Sequence, residues 1–427
     1  MLKKILSLLN YKSFFKSENS LETLKNNLDA KFLFSCFEKK TKDINAIKFV
    51  GGCVRQAITG EFAEDLDLAT TLRPEKVKEC LKENNINFYE TGYEHGTITA
   101  ILNNQKFEIT SLREDIVTDG RHAKVRFTSD WEKDSCRRDF TINSIYMNIA
   151  GDIYDPNNGI NDLKSGIIRF IGNDEQRITE DYLRILRYVR FYLQYGNTPH
   201  EKKTVLAIKK NISGIKNISK ERIFSELIKF LNIANINKLK NDKELSDIFF
   251  VLFPELQYID GVKKIKDLVS QLNFKTDYCL ILSILLSYKP TDIEYWIYKY
   301  KVSNKIKNRL MNVSKHLEST KTKNFATQKN LKRIIYFVNN KKWTKDLVFF
   351  YYIFNRGIDV QDIKSILNFI DKTEIPKLPV SGELLGKYGF EKGKNMGKVL
   401  KQIEQDWINN DFNLKENFIN KYLDFKH

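Results

Sequence analysis

The segment GGCVRQAITGEFAEDLDLAT, residues 51–70, constrains this chain more than any other. Its glycine pair breaks the short apolar strand IKFV (47–50), a helix begins at residue 53, and DLDLAT (65–70) alternates as a strand does. Side chains two apart in a strand share a face, so Asp65 and Asp67 project together while Leu66 and Leu68 turn to the core. Two neighbouring carboxylates repel unless a cation lies between them. Mg²⁺ suits this role, because it prefers oxygen and is held by one or two carboxylates together with substrate phosphates. Gly51 and Gly52 present backbone N–H groups with no Cβ in the way, a surface fit for a triphosphate. Arg55, at the start of the following helix, is placed to reach the same phosphates. A lone DxD is most often an exposed acidic turn. The coupling of GG, Arg55 and then DxD is far more specific. Glu108, in KFEIT on a predicted neighbouring strand, is the candidate third acid of a two-metal site, and its bland alternative is a solvent-facing strand glutamate.

Around this segment the pattern predicts a helix over 20–45, a helix opened by Pro74, and a hairpin in HGTITAILNNQKFEIT turning at Asn103-Asn104. Together these make a small α/β domain ending near residue 150. Beyond 175 the apolar period becomes helical and strand signals nearly vanish, with a weak boundary near 250–270. The first 20 residues are basic and poor in acids but lack arginine and a small-residue cleavage site, which favours a lead-in helix over a targeting segment.

Lys and Arg outnumber Asp and Glu by 71 to 54, a net +17 that suits a polyanionic partner. A Lys- and Asn-rich bias of composition gives the same sign, so charge alone decides nothing. The five cysteines are scattered with no CxxC pair, which fits a reducing cytoplasm and argues against a zinc site or a disulfide framework. No apolar run reaches the roughly 18 residues of a membrane span.

Further motifs follow in order: RRDFTIN (137–143), DPNNGINDL (155–163) and EDYLRILRYVRF (180–191). With GGCVR and DLDLAT, they make residues 46–230 resemble the class II branch of the polymerase-β nucleotidyltransferase superfamily. That branch contains tRNA CCA-adding enzymes and bacterial poly(A) polymerases. A weaker resemblance, to the C-terminal segment of bacterial members, covers 380–412, and 235–375 carries no motif of the family. The resemblance implies an α+β fold: a polymerase-β-like nucleotidyltransferase head with a small mixed or antiparallel sheet, then an all-helical neck, body and tail. The expected division is a lead-in at 1–22, head at 23–150, neck at 151–265, and body with tail at 266–427. Gln56 departs from the pattern, which usually carries aspartate after GGxVR.

In this family protein side chains act as the template for the incoming base. Asp181 and Arg184 are three apart on a predicted helix, hence neighbours on one face. A carboxylate accepts from the exocyclic amine of cytosine or adenine, and a guanidinium donates to the ring acceptors. Uracil and guanine leave these groups mispaired, at a cost of a few kcal/mol. The resemblance further implies that Arg187 and Arg190, with Arg138, hold the base and triphosphate; the alternative is a solvated basic face. Arg137 is read as structural.

The implied activity is addition of CCA to the 3′ end of tRNA from CTP and ATP, with Mg²⁺ and no nucleic-acid template. The RNA 3′-OH would attack the NTP α-phosphate. A poly(A) polymerase shares every motif, and length with a single compact C-terminal region favours CCA addition. A non-catalytic RNA-binding protein on a decayed head is disfavoured by the intact Asp65 and Asp67. Five histidines and no His-Asp pair disfavour a fused phosphohydrolase.

Overall fold

A computed structural model of the chain describes residues 18–63, 65–118, 123–197, 199–233, 236–286, 290–415 and 417–425. Most of the expected lead-in lies outside the described residues. The chain divides into two compact units, 1–252 and 253–427.

The first unit opens on two helices, α1 (Glu18–Lys25) and α2 (Leu28–Thr41). The single helix predicted over 20–45 is therefore broken. Asn27 takes an extended backbone and its side chain caps α2, accepting from the Ala30 N–H at 2.8 Å. The strands are β1 (Ile47–Val50), β2 (Leu66–Thr70), β3 (Asn87–Gly92), β4 (Thr97–Leu102), β5 (Gln105–Ser111), β8 (Tyr146–Met147) and β9 (Ile153–Tyr154). They form one mixed sheet in the order β3-β4-β5-β2-β1-β8-β9, in which β2 runs parallel to β5. β6 (Arg113–Thr118) and β7 (Ala123–Phe127) make a separate ribbon. The β4–β5 hairpin turns at Asn103-Asn104 as expected, both with positive φ, the conformation that asparagine tolerates best after glycine.

Helices α3 (Gly52–Thr59) and α4 (Pro74–Glu83) follow β1 and β2. The face of the sheet carrying Phe49 packs on α2, where Phe34 and Phe49 lie 4.9 Å apart. The opposite face carries Asp67. α5 (Trp131–Cys136) and the 3-10 turn Thr141–Asn143 border it, followed by α6 (Gly159–Ser165). After β9 the described structure is helical: α7 (Asp174–Glu180), α8 (Leu183–Tyr195), α9 (Lys202–Asn211), α10 (Lys220–Leu231), α11 (Lys238–Asn241) and α12 (Lys243–Leu252). α8 is amphipathic, and Ile185, Tyr188, Phe191 and Leu193 are nearly inaccessible.

The second unit is helical: α13 (Ile259–Leu272), α14 (Tyr278–Leu286), α15 (Pro290–Tyr300), α16 (Asn304–His316), α17 (Gln328–Val338), α18 (Lys341–Phe354), α19 (Val360–Lys372), α20 (Gly382–Lys387) and α21 (Lys394–Asn409). Residues 279–286 are buried all round, so α14 is the centre of this unit.

Candidate active site

β2 delivers the acids. Leu66 and Leu68 are buried, which fixes the strand's inner face and turns Asp67, with Asp65 just before the strand, to the other side. The parallel pairing of β2 with β5 sets Glu108 directly beside Asp67. Glu108 is exposed, while Asp65 and Asp67 line a cleft of about 740 Å³. Burial, and then the Glu108 charge, push the Asp67 carboxyl up to about 6 against the opposing pull of Arg138.

The glycine turn is built for backbone rather than side-chain contact. Gly51 caps α3 with φ +68° and ψ −115°, a conformation closed to residues with a Cβ. Its own N–H donates to the Ile145 carbonyl at 3.1 Å. The amides left for a phosphate are those of the first turn of α3, which α-helix geometry leaves without intrahelical acceptors.

RRDFTIN forms the opposite wall. Asp134 is fully buried and accepts from Arg137 Nε (2.8 Å), an Arg138 terminal nitrogen (3.0 Å) and the Tyr146 hydroxyl (2.8 Å). Burial works against its charge, but Arg138 and Arg137 hold its carboxyl far below the usual carboxylate range. Asp139 accepts from Asn143 Nδ2 at 2.8 Å and from Arg187 Nε at 2.6 Å. Arg55 donates to Asn143 Oδ1, and its guanidinium lies 4.8 Å from the Phe191 ring and 5.1 Å from Tyr195. A continuous chain, Arg55–Asn143–Asp139–Arg187, thus ties α3 to α8. DPNNGINDL clasps this wall. Asp155 accepts from the Gly159 and Ile160 amides, Asn157 bridges Ser135 and Ser144, and Asp162 accepts from the Thr141 hydroxyl. A Cβ on Gly159 would lie 2.1 Å from the Thr141 carbonyl oxygen, so the clasp admits no other residue.

The expectation that Asp181 and Arg184 share one helix is corrected. Asp181 has an extended backbone at the break between α7 and α8. Its carboxylate accepts the Leu183 N–H at 3.2 Å, so the residue that was to sit within a helix starts one instead. Its other oxygen meets Arg222 of α10 at 2.7 Å. Arg184 turns back to Glu180 (2.6 Å) and to the Arg177 carbonyl (2.6 Å). Arg190 is buried against Glu226 and sits 4.0 Å from the Phe191 ring centre. Arg138, Asp181, Arg184, Arg187 and Arg190 all line the cleft with Gly51, Gly52, Arg55 and Gln56. Asp139 and Asn143 lie within RRDFTIN and Glu180 within EDYLRILRYVRF, where only the arginines and Asp181 carried a signal, and Asp134 lies just before the first of these motifs. Arg222 and Glu226 sit in KERIFSELIKFL, whose only visible signal was helical period.

A head with this sheet, a glycine turn beside a carboxylate pair, and an arginine-lined helix defines a nucleotidyltransferase. Residues 47–169 match the poly A polymerase head domain, 200–259 the probable RNA and SrmB-binding site of polymerase A, and 270–423 a putative tRNA nucleotidyltransferase domain 2. The last two of these matches cover most of 235–375, where the motifs alone show no resemblance. The chain is 34% identical over 366 residues to CCA tRNA nucleotidyltransferase 1, mitochondrial, of Danio rerio, covering 84% of this chain and 83% of that one. It is 33% identical over 408 residues to the Homo sapiens protein of the same name, covering 92% and 89%. The fold is that of the Bacillus stearothermophilus CCA-adding enzyme in complex with CTP, with TM-score 0.71, 22% identity and coverage of 91% and 95%. The chain belongs to the CCA tRNA nucleotidyltransferase family.

Proposed function

We propose that this enzyme adds CCA to the 3′ end of tRNA, taking CTP and ATP in turn. One observation carries the site assignment. In the cleft, Asp139, Glu180 and Asp181 each hold an arginine, whereas among the described residues Asp65 and Asp67 have no ion-pair partner. Carboxylates left without a cation on an otherwise arginine-lined wall are oxygen donors awaiting one. Among the described residues no three such side chains converge as a cage. A two-carboxylate site completed by substrate phosphates is the coordination Mg²⁺ favours. Asp65 and Asp67 would hold it, and Glu108 acts beside Asp67 through its charge. When bound, Mg²⁺ polarises the α-phosphate and lowers the pKa of the attacking hydroxyl.

The protein's own groups do the positioning. The first turn of α3, Arg55 and Arg138 face the triphosphate, with Arg138 held in orientation by Asp134. Asp181, oriented by Arg222 and the Leu183 amide, accepts the exocyclic amine of cytosine or adenine. Arg184, anchored on Glu180, donates to the ring acceptor, and Arg187 and Arg190 back the base. Two whole-chain relatives are named as CCA tRNA nucleotidyltransferases, which favours this reading over poly(A) synthesis on the shared head. The five cysteines are free, which suits a reducing compartment such as the cytoplasm, though the same two relatives carry mitochondrial in their names. Among the described residues no helix is long and apolar enough to cross a membrane. The test is incubation of tRNA lacking CCA with each labelled NTP. Incorporation of two C and one A is expected, and an extended run of A would replace this reading with the poly(A) one.

A further inference from the structure

A second cavity of about 600 Å³ opens on the head, on the sheet face that carries Asp67 but apart from the cleft. Lys48 of β1 pairs with Ala69 of β2. Between Lys48 and the acids lies a buried plug of Val50, Ala69, Leu112 and Tyr146, covered by Trp131 and Tyr154. Lys48 is 92% buried, being 8% exposed, yet its Nζ makes no hydrogen bond or ion pair among the described residues. It rests against aromatic faces, 4.0 Å from the Trp131 ring centre and 5.2 Å from Tyr154, with the Asp43 charge attracting it without closing an ion pair. The ammonium tip stays open to the cavity, so its hydrogen-bond acceptors come from whatever fills that space. Its three N–H donors therefore point to an acceptor that comes from outside the chain.

The walls choose among acceptors. Asp43 and Asp152 also line the cavity, and both are exposed. Asp43 accepts the Asn45 amide, and Asp152 is tied to Asn148 in a reciprocal pair. These interactions leave lone pairs free on both carboxylates. A bare phosphate would face two like charges for one lysine. A neutral heteroaromatic ring with an amine beside a ring acceptor satisfies both signs, and its π face matches the aromatic lining. Adenine and cytosine have that edge, whereas uracil does not.

We propose that this cavity is a second nucleobase site, selective for amine-bearing bases, with Lys48 donating to the ring acceptor and Asp43 or Asp152 accepting the amine. The base is either that of a free nucleoside or nucleotide or one carried by bound RNA. The proposal does not depend on the activity assigned to the cleft.

The test is equilibrium binding of adenosine, cytidine, uridine and inorganic phosphate to the full chain, with the cleft filled by a non-hydrolysable CTP analogue. Adenosine and cytidine are expected to bind at least about tenfold more tightly than uridine, and Lys48→Met to weaken both by at least about tenfold. If the base belongs to RNA, Lys48→Met also raises KM for tRNA lacking CCA with kcat unchanged. If it is free, that KM is unaltered while nucleoside binding is still lost. Equal nucleoside binding in wild type and Lys48→Met overturns the proposal. So does binding of inorganic phosphate alone, without base preference. Should Lys48→Met melt early, Asp43→Asn and Asp152→Asn on the exposed rim decide the matter. Together they should erase the preference for adenosine over uridine, and an unchanged preference overturns the site.

Discussion

Buried and half-buried arginines serve opposite ends in the two units. In the first unit, two of the cleft pairs stay partly open: the Arg187, Arg222 and Asp181 side chains keep 28%, 27% and 21% of their exposure, whereas Arg190–Glu226 at the back of the cleft is nearly closed. In the second, Arg309 is held by Asp346 at 2.6 Å and by Asp277 at 2.8 Å, and the first two side chains keep only 8% and 3%. The chemistry is the same. The open pairs leave lone pairs and N–H groups for a substrate, while the closed one consumes its own donors in joining α16, α18 and the start of α14. An ion pair can meet a substrate directly only where its members still face solvent, and the closed Arg190–Glu226 pair acts as backing instead.

The largest effect expected sharpens the first side of that contrast. Asp67→Ala or Asp65→Ala should lower transfer by about a thousandfold or more, since several kcal/mol of charge stabilisation are lost. Binding of tRNA should be nearly unchanged in a filter assay. Near-normal rates with Mg²⁺ present would remove the assignment.

Next comes the closed pair. Asp346→Ala leaves the Arg309 guanidinium buried beside a void and should cost about 3–5 kcal/mol of unfolding free energy. Chemical denaturation followed by circular dichroism measures this. A loss below about 1 kcal/mol, in the range of an exposed pair, would break the distinction between the units.

Asp181→Ala should blur the choice of C and A over U and G by more than about tenfold, as one charge-assisted contact of about 1.5–3 kcal/mol is removed. Arg222→Met should reproduce part of this loss, because it leaves Asp181 present but unheld. Competition between labelled CTP and UTP on tRNA lacking CCA reads both variants. Full discrimination in Asp181→Ala would place base selection elsewhere.

Salt probes the outer surface rather than either network. With a net +17, affinity for tRNA should fall by at least about tenfold between 50 and 200 mM salt. A flat salt profile would assign tRNA binding to contacts other than phosphates. The smallest effect belongs to Gln56, half-buried on the cleft wall. Gln56→Asp should change kcat/KM by less than about threefold, the range of substitutions away from packed or paired groups. A larger change would show that residue 56 takes a direct part in nucleotide transfer.

Local periodicity was enough to place Asp65 and Asp67 on one face, the Asn103-Asn104 turn, the Pro74 start of α4 and the helical run beyond residue 175. Each is decided by neighbours within a few residues, through alternation or turn conformation. Glu108 was legible as a strand residue, but its position beside Asp67 required the parallel β2–β5 pairing, which joins segments about 40 residues apart. The break at Asp181 was invisible because EDYLRILRYVRF has unbroken helical period. Only the packing of α10, which brings in Arg222, shows where that carboxylate is held. Arg222, Glu226 and Lys48 had no signal in sequence at all. A lysine in the apolar strand IKFV reads as an ordinary alternating position. Only the tertiary structure sets Trp131 and Tyr154 over it and leaves its charge unpaired, because burial and pairing are properties of what the rest of the chain places nearby.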